Sequence, residues 1–438
     1  MKKQFFRYVF QDVAGMIGVS VYILADTFFI SLCSGADGIT VLNLALPIYG
    51  VIFAIGAMIG VGAATRHAIK KAQGEKNIDD YFMQAVTWCM ILSIPFMLLG
   101  LLIPGQVLRF MGADGTIMKL GQDYVRIFMT ASPLFMINYV FTAFTRNDNA
   151  PGIAMIGSIA GSLFNIIFDY ILMFPLGLGL KGAALATIFS PVVTSLVCCI
   201  HLFGKKNQVG FEWRVPSPGK LFYYCGAGVS AFVGEIAAGI TTAIFNLLIL
   251  SIAGNVGVAA YGVVANLSLI SMAIFNGISQ GAQPLLSKSY GAGNQKEVRE
   301  LLRYGLICSF LVECVLVAAV WKFTDPFVAI FNSKGNQALA YYAHDGLRLY
   351  FLGYFIAGIN IFLIGFFAAT ARVRQAFVAS MLRGAIAIAI CAILMATLWG
   401  MNGVWLSFLA AEFITVVAII FMGKKKHCSI WGKYICQK

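Results

Sequence analysis

Charge is scarce in this chain: 11% of residues carry it, with only 18 acids against 31 lysines and arginines. With 60% hydrophobic residues and a mean hydropathy of +0.85, the 438 residues hold too little polar surface to cover a soluble globule. Metal-ligating patterns are missing too. The 10 cysteines and 4 histidines form no CxxC or Cys/His spacing, and Cys89, Cys198, Cys199 and Cys308 fall inside apolar runs, where they read as small buried hydrophobes. No aspartate-rich motif of the DDxxD kind occurs, and only Asp79-Asp80 stand paired, which argues against a metal-dependent membrane enzyme. Residues 1–7 have the basic start of a signal peptide, but the adjoining segment contains Asp12 and no small-residue cleavage site, so an uncleaved first span is expected.

What the chain has is apolar runs of about twenty residues, each able to cross a hydrocarbon core roughly 30 Å thick. Broken at Gly, Pro and charged clusters, they predict spans near 9–32, 39–64, 82–103, 123–145, 151–174 and 180–203, then 222–253, 257–280, 300–321, 342–369, 374–399 and 402–422. The seventh window exceeds what a span needs and is expected to begin outside the hydrocarbon. Basic residues sort onto alternate loops: Arg66, Lys70, Lys71 and Lys76; Arg146; Lys205, Lys206, Arg214 and Lys220; Lys288, Lys296, Arg299 and Arg303; Arg372 and Arg374; and a tail with Lys424, Lys425 and Lys426. Arg109, Lys119, Lys181, Lys322 and Lys334 are scattered on the other side. Both termini are therefore expected in the cytoplasm, and the net charge of +13 is a topology signal rather than a nucleic-acid surface.

The polar stretch 204–219 bisects the chain, and the halves align. Asp123, Arg126 and Asn138 match Asp345, Arg348 and Asn360 at one offset, and Gly179 and Gly182 match Gly400 and Gly403 closely. An even number of spans per repeat gives both copies one orientation. The expected fold is an all-α membrane protein of about twelve transmembrane helices in two parallel six-helix repeats around a V-shaped cleft: a lobe at 1–204, a cytoplasmic linker at 205–221, and a lobe with basic tail at 222–438. Pro47, Pro95, Pro133 and Pro191 interrupt spans of the first half while the second half has almost none, which reads either as a first half that bends or, more commonly, as static kinks.

Acids inside spans are the candidates for chemistry, because a charge at the bilayer centre costs roughly 2.5–3.5 kcal/mol even on lenient scales. Asp26 lies in the apolar run 21–30 and Asp169 in 165–169. At 1.5 Å per residue both, with Thr187, fall roughly 8–10 Å below one membrane face. Asn165 precedes Asp169 by four residues and shares its helical face. Asn43 and Tyr139 are expected to join from neighbouring spans, with Asn138 and Glu235 as further supports. Two carboxylates with an amide and a hydroxyl suit a proton or Na⁺ at Asp26, Asn165 and Asp169, and a shared, poorly hydrated pocket favours holding at least one proton. Helix-to-helix bonding within the bundle is the alternative role for the pair, and the favoured one for Glu313 and Glu412. Aromatic and methionine residues such as Phe141, Phe144, Met155, Phe275 and Phe366 are candidates to line a cleft for flat cations.

The stretches Leu24-Ala25-Asp26-Thr27-Phe28-Phe29, Asn165-Ile166-Ile167-Phe168-Asp169, Lys181-Gly182-Ala183-Ala184-Leu185-Ala186-Thr187 and Gly277-Ile278-Ser279-Gln280-Gly281-Ala282-Gln283-Pro284 resemble the multidrug and toxic compound extrusion (MATE) family over nearly the full length. Arg146-Asn147-Asp148-Asn149-Ala150-Pro151 resembles its bacterial MepA-like and DinF-like branch. The resemblance implies efflux of organic, often cationic, compounds in exchange for H⁺ or Na⁺ by alternating access, with coupling at Asp26, Asn165, Asp169 and Thr187 and a nearby tyrosine at Tyr139. No cofactor and no catalysis are expected, the partners being small amphipathic substrates and lipid. The expected setting is a bacterial cell membrane, with the protein working as a monomer. A lipid-linked precursor flippase, or an exporter of an endogenous metabolite, is the alternative on the same fold.

Overall fold

The computed structural model describes residues 1–332 and 335–424, which are helical almost throughout. Inside hydrocarbon no water can satisfy backbone N–H and C=O groups, so apolar runs of this length close their hydrogen bonds within helices. Nine helices among the described residues are long and apolar enough to cross a membrane, and ten if the bent pair Gly115–Thr130 and Ser132–Asn147 is one span. Two of these, Pro218–Gly291 and Val373–Gly423, turn back at Gly254 and Gly400, which gives twelve crossings. In order, spans 1 to 6 are Lys2–Gly35, Asp37–Ala72, Tyr81–Leu102, the bent pair, Pro151–Met173 and Leu180–Leu202. Spans 7 and 8 occupy 218–253 and 255–291, spans 9 and 10 are Gln295–Lys322 and Gln337–Ala369, and spans 11 and 12 occupy 373–399 and 401–423. The seventh does start early, at Pro218. Lys334, Lys425 and Lys426 lie outside the described residues.

The backbone repeats where the sequence does. Gly35 and Gly254 turn the first hairpin of each half at φ 57°, ψ −142° and φ 62°, ψ −158°, while Gly179 and Gly400 make corresponding turns at φ 54°, ψ −132° and φ 57°, ψ −133°. Only glycine tolerates that region. Spans 4 and 10 end alike, with Asn149 (φ 63°) and Ala371 (φ 56°) in the left-handed conformation. In both, the next N–H reaches back to close the helix, Ala150 to Thr145 O and Arg372 to Phe367 O. Short helices, Pro104–Phe110 and Thr324–Phe331, come directly after spans 3 and 9.

Proline and backbone irregularity do not coincide. Pro47, Pro95 and Pro191 sit within helices that stay continuous around them, and only Pro133 marks a break. The second half has irregular turns without any proline, a 3₁₀ turn at Phe351–Gly353 and a π turn at Leu382–Ile386. Neither half is singled out as the one that bends.

Each half buries its own apolar core, although Phe5, Tyr8 and Val9 of span 1 join the core of the second. The halves meet along spans 1 and 2 against 7 and 8, at the end where the basic loops gather. Glycines make this seam close: a Cβ on Gly228 would stand 1.8 Å from the Met58 carbonyl oxygen, one on Gly62 2.1 Å from that of Tyr224, and one on Gly277 2.6 Å from Val13 Cα. Toward the other end Gly50, Gly239 and Gly262 have nothing within 4 Å of such a Cβ. The V is sealed at its basic end and open at the opposite one.

Candidate functional site

Asp26 and Asp169 come together. Span 1 packs against span 5, where Gly15 and Gly18 let Met155, Ser158 and Ile159 approach closely. The two carboxyl groups lie within hydrogen-bonding reach of each other in the first lobe, provided one of them carries a proton to share. Ionised carboxylates only accept, so a proton or cation between them is required for that approach to bind rather than repel. Asp169 and Asn165 are fully buried, and Asp26 is 8% exposed. Apart from any such shared proton, Asp26 Oδ1, both oxygens of Asp169 and both amide atoms of Asn165 are buried without a hydrogen-bond partner among the described residues. Buried polar atoms are rarely left so, and here five of them, on three residues, face each other across spans 1 and 5. Thr187 is buried, and its hydroxyl donates to Ala183 O at 2.9 Å, which leaves its oxygen as an acceptor.

Tyrosines surround this pair, but not the one expected. The Tyr22 ring, one turn before Asp26, carries its hydroxyl into the electrostatic reach of Asp26, Asp169 and Glu235. Tyr49 and Tyr124 bring theirs near Asp26, with Tyr49 stacked on Phe128 at 3.5 Å between ring centroids. Tyr139 instead donates to Glu235 Oε1 at 3.2 Å, a bond from the first lobe to the second. Asn138 accepts from Ser195 Oγ at 3.3 Å and so ties span 4 to span 6, while Asn43 is exposed on span 2. Of the aromatic candidates, Phe144, Phe275 and Phe366 are buried in the lobe cores rather than lining the cleft, because they pack against neighbouring helices of their own lobe. Phe141 and Met155 are half-buried.

The other intramembrane acids bind helices together. Glu313 accepts the N–H of Ile359 at 2.8 Å, which ties span 9 to span 10. Glu412 pairs with Arg383 at 2.8 Å and accepts from Asn360 Nδ2 at 2.7 Å, which joins spans 10, 11 and 12. Arg383 went unremarked in the sequence, although a guanidinium inside an apolar span is itself a signal. So did the pairing of Arg146, which contacts Asp12 at 3.1 Å within its lobe and Gln280 across the seam.

The two-lobed helical fold is a feature that comparison with known proteins can place. A sequence profile described as MatE matches residues 13–171 and 231–393. The chain belongs to the MatE family. Among MatE relatives, the multidrug export protein MepA of Staphylococcus aureus is 27% identical over 407 residues, covering 92% of this chain and 89% of that protein. A solved structure described as the outward-facing conformation of a multidrug resistance MATE family transporter superposes with a TM-score of 0.90 at 22% identity, over 96% of this chain and 95% of that one. A second, of a MOP superfamily transporter from Pyrococcus furiosus, gives 0.89 at 22% identity over the same shares. The MatE fold is thus shared with both, and both halves of the chain carry a matched segment.

Proposed function

We propose that the protein is a secondary active multidrug efflux antiporter, exporting organic and often cationic compounds in exchange for H⁺ or Na⁺ by alternating access. The family is one of transporters, and the relative MepA is a multidrug export protein. The observation that carries the coupling role is the set of unpartnered buried atoms on Asp26, Asn165 and Asp169. These are hard oxygen donors beside an acceptor hydroxyl on Thr187, a set suited to a proton or Na⁺ and ill suited to a soft metal. In this reading the cation enters from the open end of the V, and its binding at the pair is linked to closure there and opening at the basic seam. Glu235, held by Tyr139 between the lobes, supplies negative charge to a cationic substrate, with Asn43 and Asn138 in supporting positions.

The lobes act as the units 1–204 and 222–438. Within the linker 205–221, Gln84 donates to the carbonyls of Arg214 and Val215 and accepts the N–H of Ser217, which anchors that stretch to the first lobe. The setting is a bacterial cell membrane with both termini in the cytoplasm, and the functional unit is the monomer. One positive charge moving down about 100 mV releases roughly 2.3 kcal/mol, enough for a gradient of about fiftyfold in an uncharged substrate. Ethidium efflux from cells expressing the protein tests the reading. Export faster than in vector controls, abolished by a protonophore or by removal of Na⁺, is expected. Export unaffected by collapse of both gradients overturns it.

A further inference from the structure

At the basic end of the first lobe a cavity of about 550 Å³ opens between the starts of spans 1 and 5 and the end of span 6. Its wall includes Arg7 and Gln11 of span 1, Gly152 in the first turn of span 5, and His201, Lys206 and Gln208 at and after the end of span 6. That volume lies within the roughly 300–1,000 Å³ usual for small-ligand sites. Arg7 and Lys206 are exposed, and neither joins an ion pair among the described residues; Arg7 only lies over the Tyr8 ring. The one acid in the wall, Asp148, is already engaged. It accepts from Lys71 Nζ at 3.2 Å and from the Gln208 N–H at 2.8 Å, and shares a hydrogen bond with His201 at 2.9 Å. With its side chain 1% exposed, Asp148 leaves the cavity a net positive field.

Beside the cavity the same three helices expose apolar side chains. Phe10, three residues past Arg7, is 71% exposed, Ile156, four past Gly152, is 54% exposed, and Ile200, next to His201, is 71% exposed. Two cations without an ion-pair partner among the described residues thus lie at the basic end of helices that also expose apolar side chains. We propose that this cavity binds the phosphate headgroup of an acidic phospholipid, with Arg7 and Lys206 on the anion and the acyl chains along Phe10, Ile156 and Ile200. A free phosphate offers the same anion without the chains, so the apolar surface is what assigns the site to a lipid.

The test is native mass spectrometry of the delipidated full-length protein in detergent, titrated with dioleoyl phosphatidylglycerol, dioleoyl phosphatidylcholine or inorganic phosphate. The wild type is expected to take up one phosphatidylglycerol at least about tenfold more tightly than phosphatidylcholine, with no competition from millimolar phosphate. At about fivefold per basic residue near the surface, Arg7→Gln with Lys206→Gln weakens that uptake about thirtyfold. Lys3→Gln with Lys205→Gln removes the same charge outside the cavity wall and leaves it nearly unchanged. Melting temperatures of both double variants verify that they are folded. Equal losses in the two, no preference among lipids, or displacement by inorganic phosphate each overturns the assignment.

Discussion

Replacing Gly228 with alanine should force the sealed end of the V apart. The Cβ would stand 1.8 Å from the Met58 carbonyl oxygen, and real contacts essentially never fall below 3.0 Å, so the backbones of spans 2 and 7 must separate by about 1.2 Å. Neither contact atom can swing aside, since one is a backbone oxygen and the other is fixed to its helix. Overpacking of this kind costs about 1–3 kcal/mol. The cost falls only on the state in which the seam is closed, so it moves the balance between open-seam and closed-seam molecules by roughly 5- to 150-fold. Spin labels at two exposed positions, Lys76 in the loop after span 2 and Lys296 at the start of span 9, in a cysteine-free background, read the separation by pulsed dipolar spectroscopy. The Gly228→Ala protein should gain a longer-distance population. Gly60→Ala is the control, because Gly60 in span 2 packs against the Tyr139 backbone of its own lobe at 2.7 Å and its strain is not specific to the seam. An unchanged distance distribution with wild-type transport for Gly228→Ala would refute the reasoning.

Arg146→Gln leaves Asp12, 6% exposed, without its cation. Breaking such a pair costs about 3–5 kcal/mol, and the melting temperature should fall, with partial recovery when Asp12→Asn is added. Glu235→Gln should weaken binding of a cationic dye about tenfold and leave a neutral dye unaffected, whereas Tyr139→Phe removes one hydrogen bond and about 1 kcal/mol; fluorescence polarisation measures both. In the second lobe Glu412→Leu alone should destabilise more than Glu412→Leu with Arg383→Met, because the single change strands a buried guanidinium. Thermal melts of the three proteins check the order.

The twelve crossings were legible because apolar runs and basic loops obey simple transfer energetics, and Asp26 and Asp169 stood out because acids in such runs are costly. Their meeting could be reasoned from helical spacing and depth. Tyr139 was misplaced for a definite reason: span 4 bends by 44° between Thr130 and Ser132, so Tyr124 before the break faces Asp26 while Tyr139 after it faces Glu235. Spacing along a sequence gives a helical face but not a change of axis. Tyr22 was in principle readable, one turn from Asp26, yet in a chain with 17 tyrosines nothing marks it out. Proline was a poor guide to irregularity: Pro47, Pro95 and Pro191 lie within continuous helices, while the irregular turns of spans 10 and 11 arise without proline.

Ion coupling at the acidic pair is the central claim, and one measurement isolates it. Purified protein in liposomes is assayed twice for a fluorescent cationic substrate: as exchange between equal pools with no ion gradient, and as uptake driven by an imposed H⁺ or Na⁺ gradient. Asp26→Asn and Asp169→Asn should retain the exchange within a few-fold and lose gradient-driven accumulation. Accumulation by either variant at the wild-type level, under the gradient that drives the wild type, would contradict the account.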